Sequence, residues 1–203
     1  MTHLLAISVG PVQEFITAAR RTRDLWFGSR LLSKVSLKVA KEVENQGGTL
    51  IFPASLDAVY VANVILAELR AGDPKEVAAK AKKAAQDRWL EFAEEARRDA
   101  SSVIRTDIWN DQVHDVIEFY AAWVPRSEDY RTDRARVMRL LTGRKNCRDF
   151  LSARGRAGVP KSSLDGQRES VLKPFRVACT IPCSLASPRR GATRCGRVGE
   201  ACR

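Results

Sequence analysis

The chain has 203 residues, of which 44% are hydrophobic, and its formal net charge is +11 at pH 7. That length predicts one domain of ordinary size plus an extension, and the hydrophobic share is sufficient for a buried core. No basic segment precedes the first apolar run, and no apolar run approaches the roughly 18 residues that a membrane span needs. These features argue against a secreted or membrane-spanning protein and predict a cytoplasmic one.

The positive charge is concentrated near the C-terminus. Residues 173–203 contain seven Lys or Arg and one Glu, a net +6, so the other 172 residues carry only 11 − 6 = +5. Four of the five cysteines lie in the same tail: Cys179, Cys183, Cys195 and Cys202. The rest of the chain is poor in cysteine, which is typical of proteins from a reducing compartment.

The opening of the chain predicts a strand followed by helices. Residues 4–9 form an uncharged apolar run that suits a central strand. Gly10-Pro11 ends it and places a proline in the first turn of a helix. A second helical run follows Gly28, with Ser29 as its N-cap. The sequence therefore predicts a strand–turn–helix unit whose helix N-terminus faces a possible anion.

Further strands are predicted at residues 49–52, 63–69 and 116–124, and helices at 74–98 and 108–113. The main elements follow the order β-α-β-β-α-β, the α+β arrangement of ferredoxin-like, palm-like domains. We expect an antiparallel sheet in the strand order four-one-three-two. The helices of residues 11–45 and 74–98 should share one face of it.

A basic helix is predicted over residues 130–150, with Val137, Leu140 and Leu141 as its apolar side. Residues 152–166 are rich in glycine, serine and proline and predict a loop. We therefore divide the chain into a ferredoxin-like domain (1–125), a basic helix and loop (126–172) and an irregular tail (173–203). The four tryptophans are expected to be core or interface anchors: Trp26, Trp89, Trp109 and Trp123.

Two consecutive motifs carry a family resemblance. SVGPVQEFI (8–16) and ARRTRDLWFGSRLLS (19–33) resemble the opening of the large subunit of type III-B CRISPR effector complexes, the Cmr branch of the Cas-ten proteins. A weaker similarity continues to about residue 170. Since members of the family are much longer, the resemblance implies that the chain is an N-terminal fragment. It also implies that residues 1–125 are the first of two palm domains.

The tail loses both the aliphatic periodicity and the resemblance. We interpret residues 173–203 as the out-of-frame product of a frameshift near Leu172, without stable structure. The alternative is a zinc-binding tail, but the spacing C-x3-C-x11-C-x6-C lacks the paired two-residue knuckles of common zinc sites.

Candidate ligand-binding residues fall in two groups. Gly10, Gln13 and Ser29 are the candidates for holding a nucleotide shared with a second palm, although the turn and the cap also have purely structural interpretations. The candidates for contact with RNA or a partner lie on the basic helix: Arg131, Arg134, Arg139, Arg144 and Lys145. That cluster contains no aromatic platform for stacking bases.

The chain carries no sign of a catalytic metal site. Two-metal catalysis needs at least two converging acids, whereas the first strand ends Ser8-Val9-Gly10 and only Asp57 lies between the second and third strands. His114-Asp115 resembles the metal-binding dipeptide of some relatives but has no second histidine nearby, so a surface or capping role is predicted. We expect no catalytic residue, metal or cofactor here; ATP and a divalent metal are implied for the full-length family, which resembles nucleotidyl cyclases.

Three functions compete at this stage. The first is a non-catalytic palm that assembles with the other subunits of a type III-B ribonucleoprotein, meets guide and target RNA indirectly, and serves antiviral defence. The second is an independent nucleotide-binding or cyclase enzyme, which the missing carboxylates disfavour. The third is a freestanding RNA-binding module, which the basic clusters favour.

Overall fold

A computed structural model describes residues 1–56, 61–147, 155–164, 166 and 168–174. These residues belong almost entirely to the first of two units into which the chain divides, Met1–Lys173. Its elements are β1 (His3–Gly10), α1 (Val12–Ala18), α2 (Thr22–Asn45), β2 (Gly48–Phe52), β3 (Val64–Leu69), α3 (Pro74–Asp99), α4 (Thr106–Val113), β4 (Glu118–Pro125) and α5 (Tyr130–Asn146). Asp57 lies outside the described residues, as do residues 148–150 of the predicted basic helix and the tail from residue 175.

The four strands form one antiparallel sheet in the order β2-β3-β1-β4. Ile7 on β1 pairs with Ile65 on β3 and with Ala121 on β4. The central position of β1 explains why residues 4–10 are all buried and uncharged: both faces and both edges of this strand are covered. The predicted α+β class and strand order are confirmed.

Helices α2 and α3 cover one face of the sheet. Every second side chain of β1 points to this face of the sheet. One of them, Ile7, packs in the same core as Val39 of α2 and Ala81 of α3, and all three are fully buried. The stripe on α3 is mostly alanine, which lets the two long helices approach each other closely. The prediction that both helices share a face is confirmed.

The opposite face of the sheet is covered by α5. Leu4 and Ala6 on β1 pack with Val137 and Leu141 of this helix. The third residue of the predicted apolar side, Leu140, is 48% exposed. That assignment was wrong because Leu140 lies about 100° around the helix axis from Leu141. The division at residue 125 stays a prediction, but α5 supplies part of the core on this face.

The second helix begins earlier than predicted. Ser29 is not an N-cap, because α2 starts at Thr22 and runs unbroken through Gly28. The carboxylate of Asp24 accepts backbone N–H bonds from Arg20 (3.1 Å) and Arg21 (3.0 Å) and satisfies donors at the true helix start. Pro11 is likewise the N-cap of α1 rather than its first helical residue.

Gly28 has a packing role instead of ending a helix. A Cβ atom at this position would lie 3.3 Å from the Cβ of Phe15 on α1, so the glycine allows the two helices to approach closely. Sequence pattern alone does not separate this use of glycine from a helix boundary, because both place a small residue between two apolar runs.

Other helix ends follow the local signals. The Asp73 side chain accepts the backbone N–H of Lys75 at 2.9 Å and Pro74 occupies the first position of α3. Gly47, with φ of 81°, follows the C-cap of α2. His114 is the exposed C-cap residue of α4, so the predicted surface or capping role is confirmed.

The tryptophans divide between interior and surface. Trp89 is half-buried and donates its indole N–H to the carbonyl of Val113 at 2.6 Å, which ties α3 to the end of α4. Trp109 is also half-buried, whereas Trp26 is 52% exposed and Trp123 is 37% exposed. Trp26 and Trp123 are therefore not core anchors in this unit.

Residues beyond α5 return to the region between α3 and α4. The backbone N–H of Lys173 donates to Val103, and that of Arg105 donates to Val171, both at 2.8 Å. The guanidinium of Arg156 is hydrogen-bonded to both Asp107 and Asp111, which lie one turn apart on α4. These contacts fix the segment against the start of α4.

Contacts of Asp133 at the junction between β4 and α5 predict that acid lowers the stability of the fold. The Asp133 carboxylate accepts the Ser127 backbone N–H at 2.7 Å and lies 3.0 Å from Arg126, and these contacts hold its pKa below the usual range. A lowered folded-state pKa stabilises the fold above about pH 4, and this contribution is lost as the pH falls through the folded value. We expect acid to lower the urea midpoint of the native chain more steeply than that of D133N.

Urea unfolding at a series of pH values between neutral and acidic measures this effect. D99N, which removes an exposed carboxylate at the end of α3, is the matched control and should keep the native slope. Parallel curves for the native chain and D133N would contradict the prediction.

Candidate functional site

A cavity of about 300 Å³ opens at the end of the sheet where β1 stops and β4 begins. We call it the turn cavity, because the β1–α1 turn forms one wall of it. Its lining residues are Ser8, Val9, Gly10, Pro11, Val12, Gln13, Glu14, Asn63, Glu118, Tyr120 and Lys145.

The strand register and the turn position these groups. Gly10 is paired with Glu118, and a Cβ atom on Gly10 would lie only 3.0 Å from a carboxylate oxygen of that residue. The backbone of Asn63 accepts the N–H of Val9 at 2.8 Å and holds the β3 side of the cavity in place. A side chain at position 10 would therefore narrow the cavity, which gives the glycine a steric reason beyond the turn itself.

The structure brings together residues from both predicted groups. Gly10 and Gln13 come from the β1–α1 turn, whereas Lys145 comes from the C-terminal end of α5, and all three line the turn cavity. They are up to 135 positions apart in sequence (145 − 10). A cation, an amide and a backbone turn thus face the same small volume.

Ser29 lies at a second cavity, also of about 300 Å³, between α1 and α2. Its lining is mostly apolar and includes Phe15, Ile16 and Leu25. The two cavities share Val12 and Asn63 as lining residues. Ser29 is therefore next to the turn cavity but does not line it.

The four predicted arginines of α5 line neither cavity. Arg131, Arg134, Arg139 and Arg144 are exposed on the helix surface. At about 1.5 Å per residue, Arg131 lies roughly 20 Å along the axis from Lys145. The predicted group of contact residues is thus divided: all five are exposed, but only Lys145 also lines the turn cavity.

Sequence reasoning missed five polar residues of the turn cavity: Ser8, Glu14, Asn63, Glu118 and Tyr120. Glu118 and Tyr120 lie on β4 opposite Gly10 and Ser8. The predicted sheet order already put β4 beside β1, so aligning the two strands in antiparallel register was the signal that would have found them.

The cavity contains one cationic side chain, Lys145, and two carboxylates, Glu14 and Glu118. Across the described ranges, no group of three or more His, Cys, Asp or Glu side chains lies close enough to hold a metal ion. The groups present can donate hydrogen bonds and pair with an anion through Lys145.

In the part of the chain that the structure describes, no helix has both the length and the apolar character needed to cross a membrane.

Residues 4–105 match the family model for CRISPR-associated protein Cmr2, N-terminal. A search of curated proteins gave no match.

Two solved structures match parts of this chain. Adenylyl cyclase CyaB from P. aeruginosa is 13% identical, with 70% of this chain and 71% of that chain covered and a TM-score of 0.35. Csm1 in T. onnurineus is 16% identical, with 78% of this chain covered and a TM-score of 0.37. The match spans only 22% of that Csm1 chain.

The family match includes β1, the β1–α1 turn and both motifs on which the resemblance was based. Because it covers residues 4–105 of 203, half of the sequence, the chain belongs to the family of CRISPR-associated protein Cmr2 and represents its N-terminal region.

Proposed function

We propose that the chain is a non-catalytic palm domain of a type III-B CRISPR effector large subunit. In this role it assembles with the other subunits of the ribonucleoprotein in RNA-guided antiviral defence and meets the guide and target RNA indirectly. It also supports a nucleotide site shared with a second palm, for which the whole protein would use ATP and a divalent metal.

The observation that carries the proposal is the convergence of Gly10, Gln13 and Lys145 on the turn cavity, within a chain whose first half matches the Cmr2 family. An ammonium group is a compact positive charge that pairs with phosphate oxygens. Glu14 and Glu118 line the same cavity and would repel a phosphate, so binding of a nucleotide here depends on Lys145.

The non-catalytic part of the proposal is supported by the strand ends. β1 ends at Gly10 without a carboxylate, and Glu14 and Glu118 in the cavity belong to no group of three or more His, Cys, Asp or Glu side chains near enough to hold a metal ion among the described residues. Two-metal chemistry requires acids that converge on ions about 4 Å apart. An assay with ATP and Mg²⁺ or Mn²⁺ should therefore give no cyclic or oligomeric product, and product formation would overturn this part.

Nucleotide binding is tested by titration calorimetry with ATP. Lys145→Ala should weaken binding by about 10- to 100-fold, since a hydrogen bond to a charged group contributes roughly 1.5–3 kcal/mol. Arg139→Ala removes the same charge from the same helix outside the cavity and is the matched control. Equal losses in both variants would show a general charge effect and contradict a site at Lys145.

Assembly is tested by co-expressing the chain with the remaining subunits of a type III-B complex. We expect it to elute with them in size-exclusion chromatography. If the chain elutes separately from the subunits although its thermal unfolding shows that it is folded, the assembly role is contradicted.

A freestanding RNA-binding or nucleotide-binding module remains the second candidate, favoured by the exposed arginines of α5. It predicts RNA affinity that falls steeply with salt and persists after deletion of residues 173–203. A filter-binding series on the intact and shortened chains decides between the candidates. Loss of all RNA affinity with the tail would remove the support for this module.

A further inference from the structure

We propose that α1 is a hinged wall shared by two cavities, through which the cavity between α1 and α2 controls ligand binding in the turn cavity. We call the cavity between the two helices the interhelix cavity. The inference adds a regulation to the proposed nucleotide site and rests on that proposal for its ligand.

Helix α1 lines both cavities, each of about 300 Å³. Val12, Gln13 and Glu14 line the turn cavity. Val12, Phe15 and Ile16 line the interhelix cavity. Because Val12 belongs to both linings, a movement of α1 changes the two cavities together.

Few contacts hold α1 in place. None of its seven residues is buried. In the part of the chain that the structure describes, its side-chain hydrogen bonds stay within the helix: the Thr17 hydroxyl donates to the carbonyls of Gln13 (3.0 Å) and Glu14 (3.1 Å). A helix of this length is also too short to be stable without tertiary packing. The position of α1 therefore depends mainly on apolar contacts.

Those apolar contacts centre on Phe15. This residue packs against the core between the sheet and helices α2 and α3, and a Cβ atom on Gly28 of α2 would lie 3.3 Å from the Phe15 Cβ. Residues with extended backbone flank the helix, Pro11 before it and Ala19 after it. This arrangement lets α1 rock about Phe15 while β1 and α2 keep their positions.

The interhelix cavity gives α1 room to move. Ile16 on α1 is 51% exposed and Leu25 on α2 is 44% exposed, and both line this cavity. Movement of α1 towards α2 would bury apolar surface of both side chains, which is favourable. The same movement shifts Gln13 relative to Lys145, which lines the turn cavity from α5. A ligand that contacts both Gln13 and Lys145 therefore fixes the position of α1.

Coupling between two sites acts in both directions. If a ligand in the turn cavity fixes α1, then a substitution that pushes α1 away from α2 weakens the binding of that ligand. Two positions on α2 allow such a substitution, because Gly28 and Ser29 line the interhelix cavity but not the turn cavity.

The test measures ATP binding to the whole chain by titration calorimetry. Ser29→Leu adds volume to the interhelix cavity, and Gly28→Ala places a methyl group against Phe15. Each variant should weaken ATP binding at least about fivefold, the lower end of typical coupling between sites.

Gln86→Leu is the matched control for replacing an exposed polar side chain by leucine, because Gln86 lies on α3 and lines neither cavity. Ser29→Ala removes the serine hydroxyl without filling the interhelix cavity. Both variants should bind ATP like the native chain. Circular dichroism melting confirms that each variant folds.

Hydrogen exchange of the α1 backbone amides gives a second readout, which does not depend on affinity. In the free chain, exchange in α1 should be faster than exchange in residues 31–43 of α2, and saturating ATP should slow it. Ser29→Leu should accelerate exchange in α1 of the free chain, whereas Gln86→Leu should leave it unchanged.

The inference is overturned if Ser29→Leu and Gly28→Ala bind ATP like the native chain, or if ATP leaves exchange in α1 unchanged. Equal weakening by Ser29→Ala and Ser29→Leu would also overturn it, since the hydroxyl itself would then contact the ligand. The proposed nucleotide site survives all three outcomes as long as Lys145→Ala weakens ATP binding. If the native chain does not bind ATP, the proposed nucleotide site fails. Exchange in the free chain then decides the inference, and an α1 that does not respond to Ser29→Leu overturns it.

Discussion

Replacing Leu141 by alanine is expected to lower the free energy of unfolding by about 2–5 kcal/mol, whereas the same change at Leu140 should alter it by no more than about 0.5 kcal/mol. Leu141 is 2% exposed and packs with Leu4 and Ala6 against the second face of the sheet, and Leu140 is its largely exposed neighbour. The two variants delete the same atoms from one helix, so their difference isolates burial from helix propensity.

Urea unfolding followed by circular dichroism measures the free energy of unfolding of both variants. The comparison holds if the slope of that free energy against urea concentration is the same in both. The comparison also tests whether α5 belongs to the folded unit of the sheet. Equal, small losses in both variants would mean that α5 does not contribute to the core at all.

Gly48→Ala is expected to destabilise the chain by about 1–3 kcal/mol, because the added methyl group would overfill a tight turn. A Cβ atom at Gly48 would lie 2.7 Å from a Val43 side-chain carbon and 2.9 Å from the Val43 carbonyl oxygen. The backbone contact cannot be relieved by a rotamer change. The end of α2 and the start of β2 would have to move apart.

Gly143→Ala is the matched glycine control and should have the opposite sign. This residue lies inside α5, and among the described residues no atom outside its own stretch of helix lies within 4 Å of a Cβ placed there. Alanine should therefore stabilise the chain by about 0.5–1 kcal/mol through its better helix propensity. Melting temperatures of both variants give the comparison, and a stabilised Gly48→Ala would show that the α2–β2 junction can relax.

Local patterns in the sequence were enough to predict most elements of the sheet and its helices. The uncharged run at residues 4–9 predicted a central strand because a strand covered on both faces has no solvent position for a polar side chain. Asp73-Pro74 marked the start of α3 because capping depends only on neighbouring residues. The motifs at 8–16 and 19–33 identified the family for the same reason: they are contiguous.

Features that depend on how distant residues pack were not predictable in this way. Gly28 lies inside α2 and does not mark a helix boundary. A small residue is needed there because Phe15 of α1 occupies the space beside it. Leu140 and Leu141 are chemically identical, and only the position of the sheet decides which of them is buried.

By itself, the sequence determined the local elements, the family and the identity of the candidate groups Gly10, Gln13 and Lys145. Only the tertiary structure decided that these three line one cavity, that Glu118 joins them, and that Ser29 lies beside a different one. The physical reason is that a strand or a cap is stabilised by neighbours along the chain. A cavity, in contrast, is formed by side chains that are distant in sequence, and their separation in space is set by the register of β4 on β1 and by the packing of α5 on the sheet.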